Sequence, residues 1–141
     1  MTIIRAATSA DAEALAPLSG QLGYPADAAT IAQRLDDAAG RGAVLVAVDT
    51  RGAVCGFAQA EPRRLLIADP FVELSALVVE EAARGSGAGA ALLAAVEAWS
   101  RGHGFTSVRV RSNVIRERAH RFYLRAGYAE RKRQAVFVKR L

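Results

Sequence analysis

Residues 84–89, Arg84-Gly85-Ser86-Gly87-Ala88-Gly89, follow a run that reads as a strand and open one that reads as an apolar helix. Three glycines at such a junction let backbone N–H groups approach a ligand closely, at the positive end of a helix dipole. A nest of this kind suits a phosphate or pyrophosphate. The surrounding residues exclude two phosphate-loop types. A Walker A loop needs Gly-Lys followed by Ser or Thr, and that triplet does not occur. A dinucleotide fold formally accepts Gly85-x-Gly87-x-x-Ala90. Against it, Glu80 to Arg84 separate strand from glycines, and the next strand ends Arg109-Val110-Arg111 with no acidic residue.

Charge supports an anionic ligand. The chain carries +5 overall. Residues 1–70 hold 6 basic and 8 acidic side chains, or −2, and residues 71–141 hold 13 and 6, or +7. Of 19 cations, 17 are arginine, whose planar fork matches phosphate. That asymmetry fits a nucleic acid or a phosphorylated small molecule. The other reactive types read as structural. Cys55 is alone, so a disulfide framework or thiolate metal cluster is not expected, and it reads as a small packed side chain. His103 in Gly102-His103-Gly104 and His120 among charged neighbours read as surface or supporting residues.

The elements that must hold the glycine loop follow from periodicity. With 141 residues, 52% of them hydrophobic, and no repeat or linker, the expectation is a single domain over 1–141 with a real core. The start, MTIIRAAT, does not read as a secretion leader, and no uncharged apolar run reaches the roughly 18 residues of a membrane span, so a cytoplasmic protein is expected. Residues 2–7 read as a strand. Ser9 can cap a helix bearing Leu15, Leu18 and Leu22, and Ala28, Ile31, Leu35 and Ala38 mark a second helix. Residues 43–48 and 53–61 read as a hairpin about Asp49 to Gly52, which Leu65 to Ala68 prolong beyond Pro62. Residues 71–79 form another strand. A helix from Gly87 to Arg101 turns Leu92, Val96 and Trp99 inward, and 105–111 alternate as a strand. Ile115, Ala119, Phe122 and Ala126 mark a last helix ended by Gly127, and one or two strands close the chain through 128–139. The order β-α-α-β-β-β-α-β-α-β(-β) predicts an α+β fold. Its mixed, mostly antiparallel sheet would have six to seven strands, flanked by about four helices, with a right-handed parallel crossover from 71 to 111.

In residues 71–128 this sequence resembles the GCN5-related N-acetyltransferases, the GNAT family. Their hallmark is a strand ending Leu-x-Val, a short loop, then Arg/Gln-x-x-Gly-x-Gly/Ala opening a helix. Here these are Leu77-Val78-Val79, the loop 80–83, and Arg84 to Gly89. About thirty residues on, the family's Ala-x-x-x-Tyr and Gly-Phe/Tyr correspond to Ala119 to Tyr123 and Gly127-Tyr128. One position departs. The family commonly places Asn three residues before that Ala, where this chain has Arg116. Asn113 lies six before it and can equally be a helix cap.

The resemblance implies an acyltransferase that moves an acetyl group from acetyl-CoA to an amine directly, within a ternary complex, with no metal. Backbone N–H groups of Gly85, Ser86, Gly87, Ala88 and Gly89 would take the pyrophosphate, with Arg84 at the mouth. Asn113 and Arg116 belong to the cofactor set. The pantetheine arm would lie along Leu77, Val78 and Val79 where the fourth and fifth strands splay, usually at a bulge, and that backbone would polarise the thioester carbonyl. The attacking amine must lose a proton. The candidate base is Glu73, placed by alternation on one face with Ser75, Leu77 and Val79, and Glu61 is the reserve. Tyr123 matches the family's usual acid for the leaving thiolate. Tyr24, between the first two helices, borders the acceptor region and is a weak acceptor contact, as is Glu61.

Two alternatives follow from the same residues. One is a GNAT-like module that binds acetyl-CoA as a sensor without turnover. The other is a nucleic-acid binder using Arg109, Arg111, Arg116, Arg118, Arg121 and Arg125, which lacks a reading motif. Under any reading, a strand over Gln134 to Lys139 could present an edge for a homodimer. The acceptor stays open among lysine side chains, protein N-termini, aminoglycosides, polyamines and small amino acids.

Overall fold

A computed structural model describes residues 2–112 and 116–141, which divide into two compact units, residues 1–110 and 111–141. The first unit runs β1 (Ile3–Ala6), a 3-10 turn (Ser9–Asp11), α1 (Ala12–Leu22), α2 (Ala28–Ala38), β2 (Ala43–Val48), β3 (Val54–Leu65), β4 (Ala68–Val79), a second 3-10 turn (Glu81–Ala83), α3 (Ala88–Gly102) and β5 (Val108–Val110). The second unit contains α4 (Glu117–Arg125). The sheet order is β1-β2-β3-β4-β5, antiparallel until the parallel β4–β5 pair that α3 connects. No helix among the described residues is long and apolar enough to cross a membrane.

Each face of the sheet is covered by helix. Val46, Phe57 and Val78 point to one face and meet Ala12, Leu15 and Leu18 of α1 and Ile31 of α2. On the other face small side chains let α3 come close. Leu92 and Val96 are fully buried, and a Cβ on Gly56 would stand 3.3 Å from Leu92 Cδ1 and 2.8 Å from the Val78 carbonyl oxygen. The β3 strand continues through Pro62 because Pro62 opposes Val72, whose N–H points away to the Ser107 carbonyl. The proline's missing donor therefore costs no ladder bond.

A half-buried ion pair ties the first strand to the turn that precedes α1. Arg5 donates from both terminal nitrogens to the Asp11 carboxylate at 2.9 Å, and the Thr8 N–H donates to it at 2.8 Å. Asp11, and not Ser9, thus closes this helix start. Its hydrogen bond to Arg5, more than the Thr8 N–H, holds its carboxyl below the ordinary carboxylate value. Replacing Asp11 by Ala is expected to cost about 1–2 kcal/mol, since it removes a bidentate charge-assisted bond whose half-exposed Arg5 partner can be rehydrated. With a depressed folded-state pKa, the stabilisation is complete above the unfolded carboxyl's value near 4 and is lost as pH falls through the folded one. Urea midpoints from pH 2 to 7 should therefore slope less in the variant at the acid end.

Two expectations are corrected. Five strands form among the described residues, where six to seven were expected, and none lies over 128–139. A strand needs a ladder partner, and register is fixed by burial of one face. Here Val136, Phe137 and Val138 are all exposed, Phe137 at 92%, so alternation in the sequence has no burial to fix it. The fifth strand is also shorter than 105–111. Phe105 belongs to the turn after α3, where its N–H bonds the Ser100 carbonyl and the Arg64 guanidinium lies 5.3 Å from its ring centroid.

Candidate active site

The first site element is an open strand edge. Among the described residues, the β5 strand pairs with Val72, Glu73 and Leu74 of β4 and no others. At Ser75 the β3–β4 register skips a residue, since Gln59 opposes Ala76 while Ala60 opposes Leu74. This is a bulge, with the Ser75 hydroxyl donating to the Gln59 carbonyl at 3.3 Å. Beyond it the far edge of β4 has no strand partner among the described residues. The Glu80 N–H bonds back to the Cys55 carbonyl, so by alternation Val78 points its backbone to β3 while Leu77 and Val79 point theirs to the open edge. The expected backbone set of Leu77, Val78 and Val79 therefore reduces, at the edge, to Leu77 and Val79. Arg84 Nε already donates to the Val79 carbonyl at 3.3 Å.

The edge leads straight into the glycine loop. Gly85 and Gly87 have φ of 86° and 90°, a left-handed conformation that L side chains resist. The Ser86 N–H is used by the Ala83 carbonyl and the Ala88 N–H by the Ser86 hydroxyl, while Ala88 itself is buried. The first in-helix bond of α3 runs from Ala91 to the Gly87 carbonyl, which leaves the N–H groups of Gly87, Gly89 and Ala90 without a partner among the described residues. A Cβ placed on Gly85 or Gly87 would meet nothing within 4 Å. Open space, unpartnered donors and a positive helix end together fit the phosphates of CoA.

Glu73 is half-buried on β4, and the bulge changes its face. By register Glu73 lies with Ala76 and Val78, opposite Gln59 and Phe57, rather than with Leu77 and Val79. That is the side of the sheet covered by α1 and α2. Glu73 opposes Glu61 on β3 and Arg109 on β5, which makes one rung of two carboxylates and a guanidinium. Arg109 is held over the buried Phe71 ring, 4.0 Å from its centroid, and Glu61 sits 4.0 Å from Arg63. Glu61 also borders a groove of about 230 Å³ between α2 and β2–β3, lined by Arg34, Asp37, Arg41 and Gln59. Arg109 was legible only as one of an arginine cluster. The rung that sets it beside Glu73 depends on strand register.

Tyr24 is 69% exposed after Gly23, and its backbone is clamped by the Ser19 carbonyl and hydroxyl. It is not part of the Glu73 rung. Tyr123 lies in the second unit on α4, its ring edge-on to Phe122 at 5.2 Å and to Tyr128 at 5.8 Å. Burial pushes the phenol up to about 12, with the Arg116 charge pulling the other way. Arg116 is exposed at the start of α4, and Asn113 lies outside the described residues.

The model of the acetyltransferase (GNAT) family matches residues 12–128. The chain is 37% identical over 142 residues to aminoglycoside N(6')-acetyltransferase type 1 of Stenotrophomonas maltophilia, covering 95% of this chain and 90% of the relative. In fold it is similar to the aminoglycoside N-acetyltransferase AAC(6')-Iy in complex with CoA, with TM-score 0.85, 23% identity, and 100% and 96% of the two chains covered. Glucosamine-6-phosphate N-acetyltransferase from Arabidopsis thaliana is similar too, with TM-score 0.83, 15% identity and 98% of each chain covered. The chain belongs to the GNAT acetyltransferase family. It is an N-acetyltransferase whose acetyl donor is acetyl-CoA.

Proposed function

We propose that this chain transfers the acetyl group directly to a primary amine, with donor and acceptor bound together. The observation that carries this reading is the β4 edge opened at the Ser75 bulge, running without interruption into a loop of unpartnered N–H groups at the α3 N-terminus. The N–H groups of Gly87, Gly89 and Ala90 hold the phosphates, with Arg84 at the mouth of the loop. Leu77 and Val79 offer their edge groups to the pantetheine arm. Acetyl-CoA supplies an acetyl group activated as a thioester, and every other role falls to the chain.

An alkylammonium near pKa 10.4 cannot attack until it loses a proton. Glu73 takes that proton, with the flanking Arg109 and Glu61 setting the charge around it. Tyr123 donates its O–H towards the leaving sulfur. With the phenol near 12 and a thiol near 8.5, full transfer would lie roughly three to four orders of magnitude uphill, so its contribution is a hydrogen bond to developing negative charge. Replacing Tyr123 by Phe is expected to lower kcat about tenfold. Because the phenol stays protonated far above neutrality, the ratio of wild-type to variant kcat should stay constant between pH 6 and 9.5.

The 37% relative acts, by its name, on the 6'-amine of aminoglycosides, so that amine is the acceptor to offer first. The test follows CoA thiol release with an aminoglycoside bearing a 6'-amine, its 6'-hydroxyl analogue, a polyamine, a lysine peptide and free amino acids. Release with an amine and none with the hydroxyl analogue supports the reading. If the protein binds acetyl-CoA but no amine raises thiol release above the acceptor-free rate, the reading gives way to the sensor module.

A further inference from the structure

The loop from Glu80 to Gly87 has little of its own to hold it. It contains two left-handed glycines, and none of the residues of its 3-10 turn, Glu81–Ala83, is buried. The bonds inside it are short-range ones, from Ala83 to the Glu80 carbonyl, Arg84 to Glu81 and Ser86 to Ala83. The turn also lacks a side-chain cap of its own, since Glu80 makes no such bond. Its first N–H, that of Glu81, would be an orphan donor at the start of a helical turn. The partner comes from 60 residues away, where Gln21 Oε1 of α1 accepts that N–H at 3.2 Å.

Gln21 is exposed, but the backbone that carries it is held. It lies in the last turn of α1, which Gly23 closes at φ 106°. The Tyr24 N–H bonds the Ser19 carbonyl, and the Ser19 hydroxyl, in a largely buried residue, bonds the Tyr24 carbonyl. The helix end is thus clamped on both sides of Gln21, and the Gln21 amide is the polar link from it to the loop that opens α3.

We infer that Gln21 is a positioning residue for acetyl-CoA: it caps the Glu81 turn from outside and so fixes the approach of the Arg84–Gly89 loop to the phosphates. The inference rests on the assignment of those phosphates to the loop. The same clamped turn carries Tyr24 at its tip.

The test compares Gln21→Met, nearly equal in shape but without the acceptor, with Gln21→Glu, which keeps an acceptor oxygen. In the Met variant, amide exchange of Glu81 should accelerate and KM for acetyl-CoA rise about three- to tenfold, the effect of one lost hydrogen bond, with kcat and melting temperature nearly unchanged. In the Glu variant the Glu81 amide should stay protected. Faster exchange with unchanged KM would overturn the inference, because the bond would then position nothing. A fall in kcat and melting temperature without a selective change in KM would overturn it too, as the mark of a purely structural residue. Gly87→Glu run alongside separates the two levels. If it leaves acetyl-CoA binding intact, the phosphate assignment fails. If it abolishes binding while Gln21→Met has no effect, only the role of Gln21 fails.

Discussion

Gly87→Glu is expected to raise the Kd for acetyl-CoA at least about a hundredfold in a protein that still folds. Three N–H groups, those of Gly87, Gly89 and Ala90, have no partner among the described residues at the start of α3. Each charge-assisted bond to a phosphate oxygen is worth about 1.5–3 kcal/mol, so losing two exceeds the 2.7 kcal/mol of a hundredfold change. The new carboxylate would sit at the positive end of the helix, where it competes for the same donors and repels the pyrophosphate. Folding should survive, because a Cβ at Gly87 meets no atom within 4 Å. The cost is that of holding a non-glycine residue at φ 90°, about 1–2 kcal/mol. Gly87→Ala carries the same backbone cost without the charge, and its Kd should shift no more than about threefold. Calorimetric titration of both variants separates the terms. Equal, modest losses would mean that the loop's shape matters and phosphate does not lie there.

How far such a site can be read from residues alone depends on what each residue reports. The glycine loop was legible because φ near 90° is a demand that one residue type meets cheaply, and Gly85 and Gly87 meet it. Leu92 and Val96 were legible because helical spacing and burial coincide, and the parallel β4–β5 pair followed from a helix of ordinary length between two strands. A bulge was expected from the resemblance alone, but its position was not legible. Ser75 sits in Phe71-Val72-Glu73-Leu74-Ser75-Ala76-Leu77, which reads as regular alternation, and nothing local marks the residue that β3 will skip. One skipped residue moved Glu73 to the opposite face from Leu77 and Val79. Continuation beyond Pro62 was expected from Leu65 to Ala68, but the reason waited for the sheet, because whether a missing N–H matters depends on which way the strand's donors point. The run over 128–139 has the composition of a strand, but composition does not supply the neighbour that makes one. Contacts fixed by backbone geometry were thus visible early, and those fixed by register, such as Arg109 beside Glu73, waited for the sheet.

That register makes the assignment of the base a sharp question, because two carboxylates share one rung. Glu73→Gln is expected to lower kcat by at least about a hundredfold at pH 7, the usual range for a lost general base, with KM for acetyl-CoA unchanged. The deficit should shrink as pH rises towards the amine's own pKa near 10.4, because the fraction of acceptor already neutral grows about tenfold per pH unit and needs no base. Glu61→Gln provides the contrast. Glu61 faces Glu73 directly across the ladder, beside Arg63 and at the rim of the α2 groove, so its charge is placed to attract a cationic acceptor rather than to take its proton. That variant should raise KM for the acceptor several-fold and change kcat little. If the losses are reversed, with the pH-dependent deficit following Glu61, the base sits one strand over and Glu73 is the residue that attracts the acceptor. If neither variant shows a deficit that closes at high pH, neither carboxylate removes the proton, and the rung serves charge recognition alone.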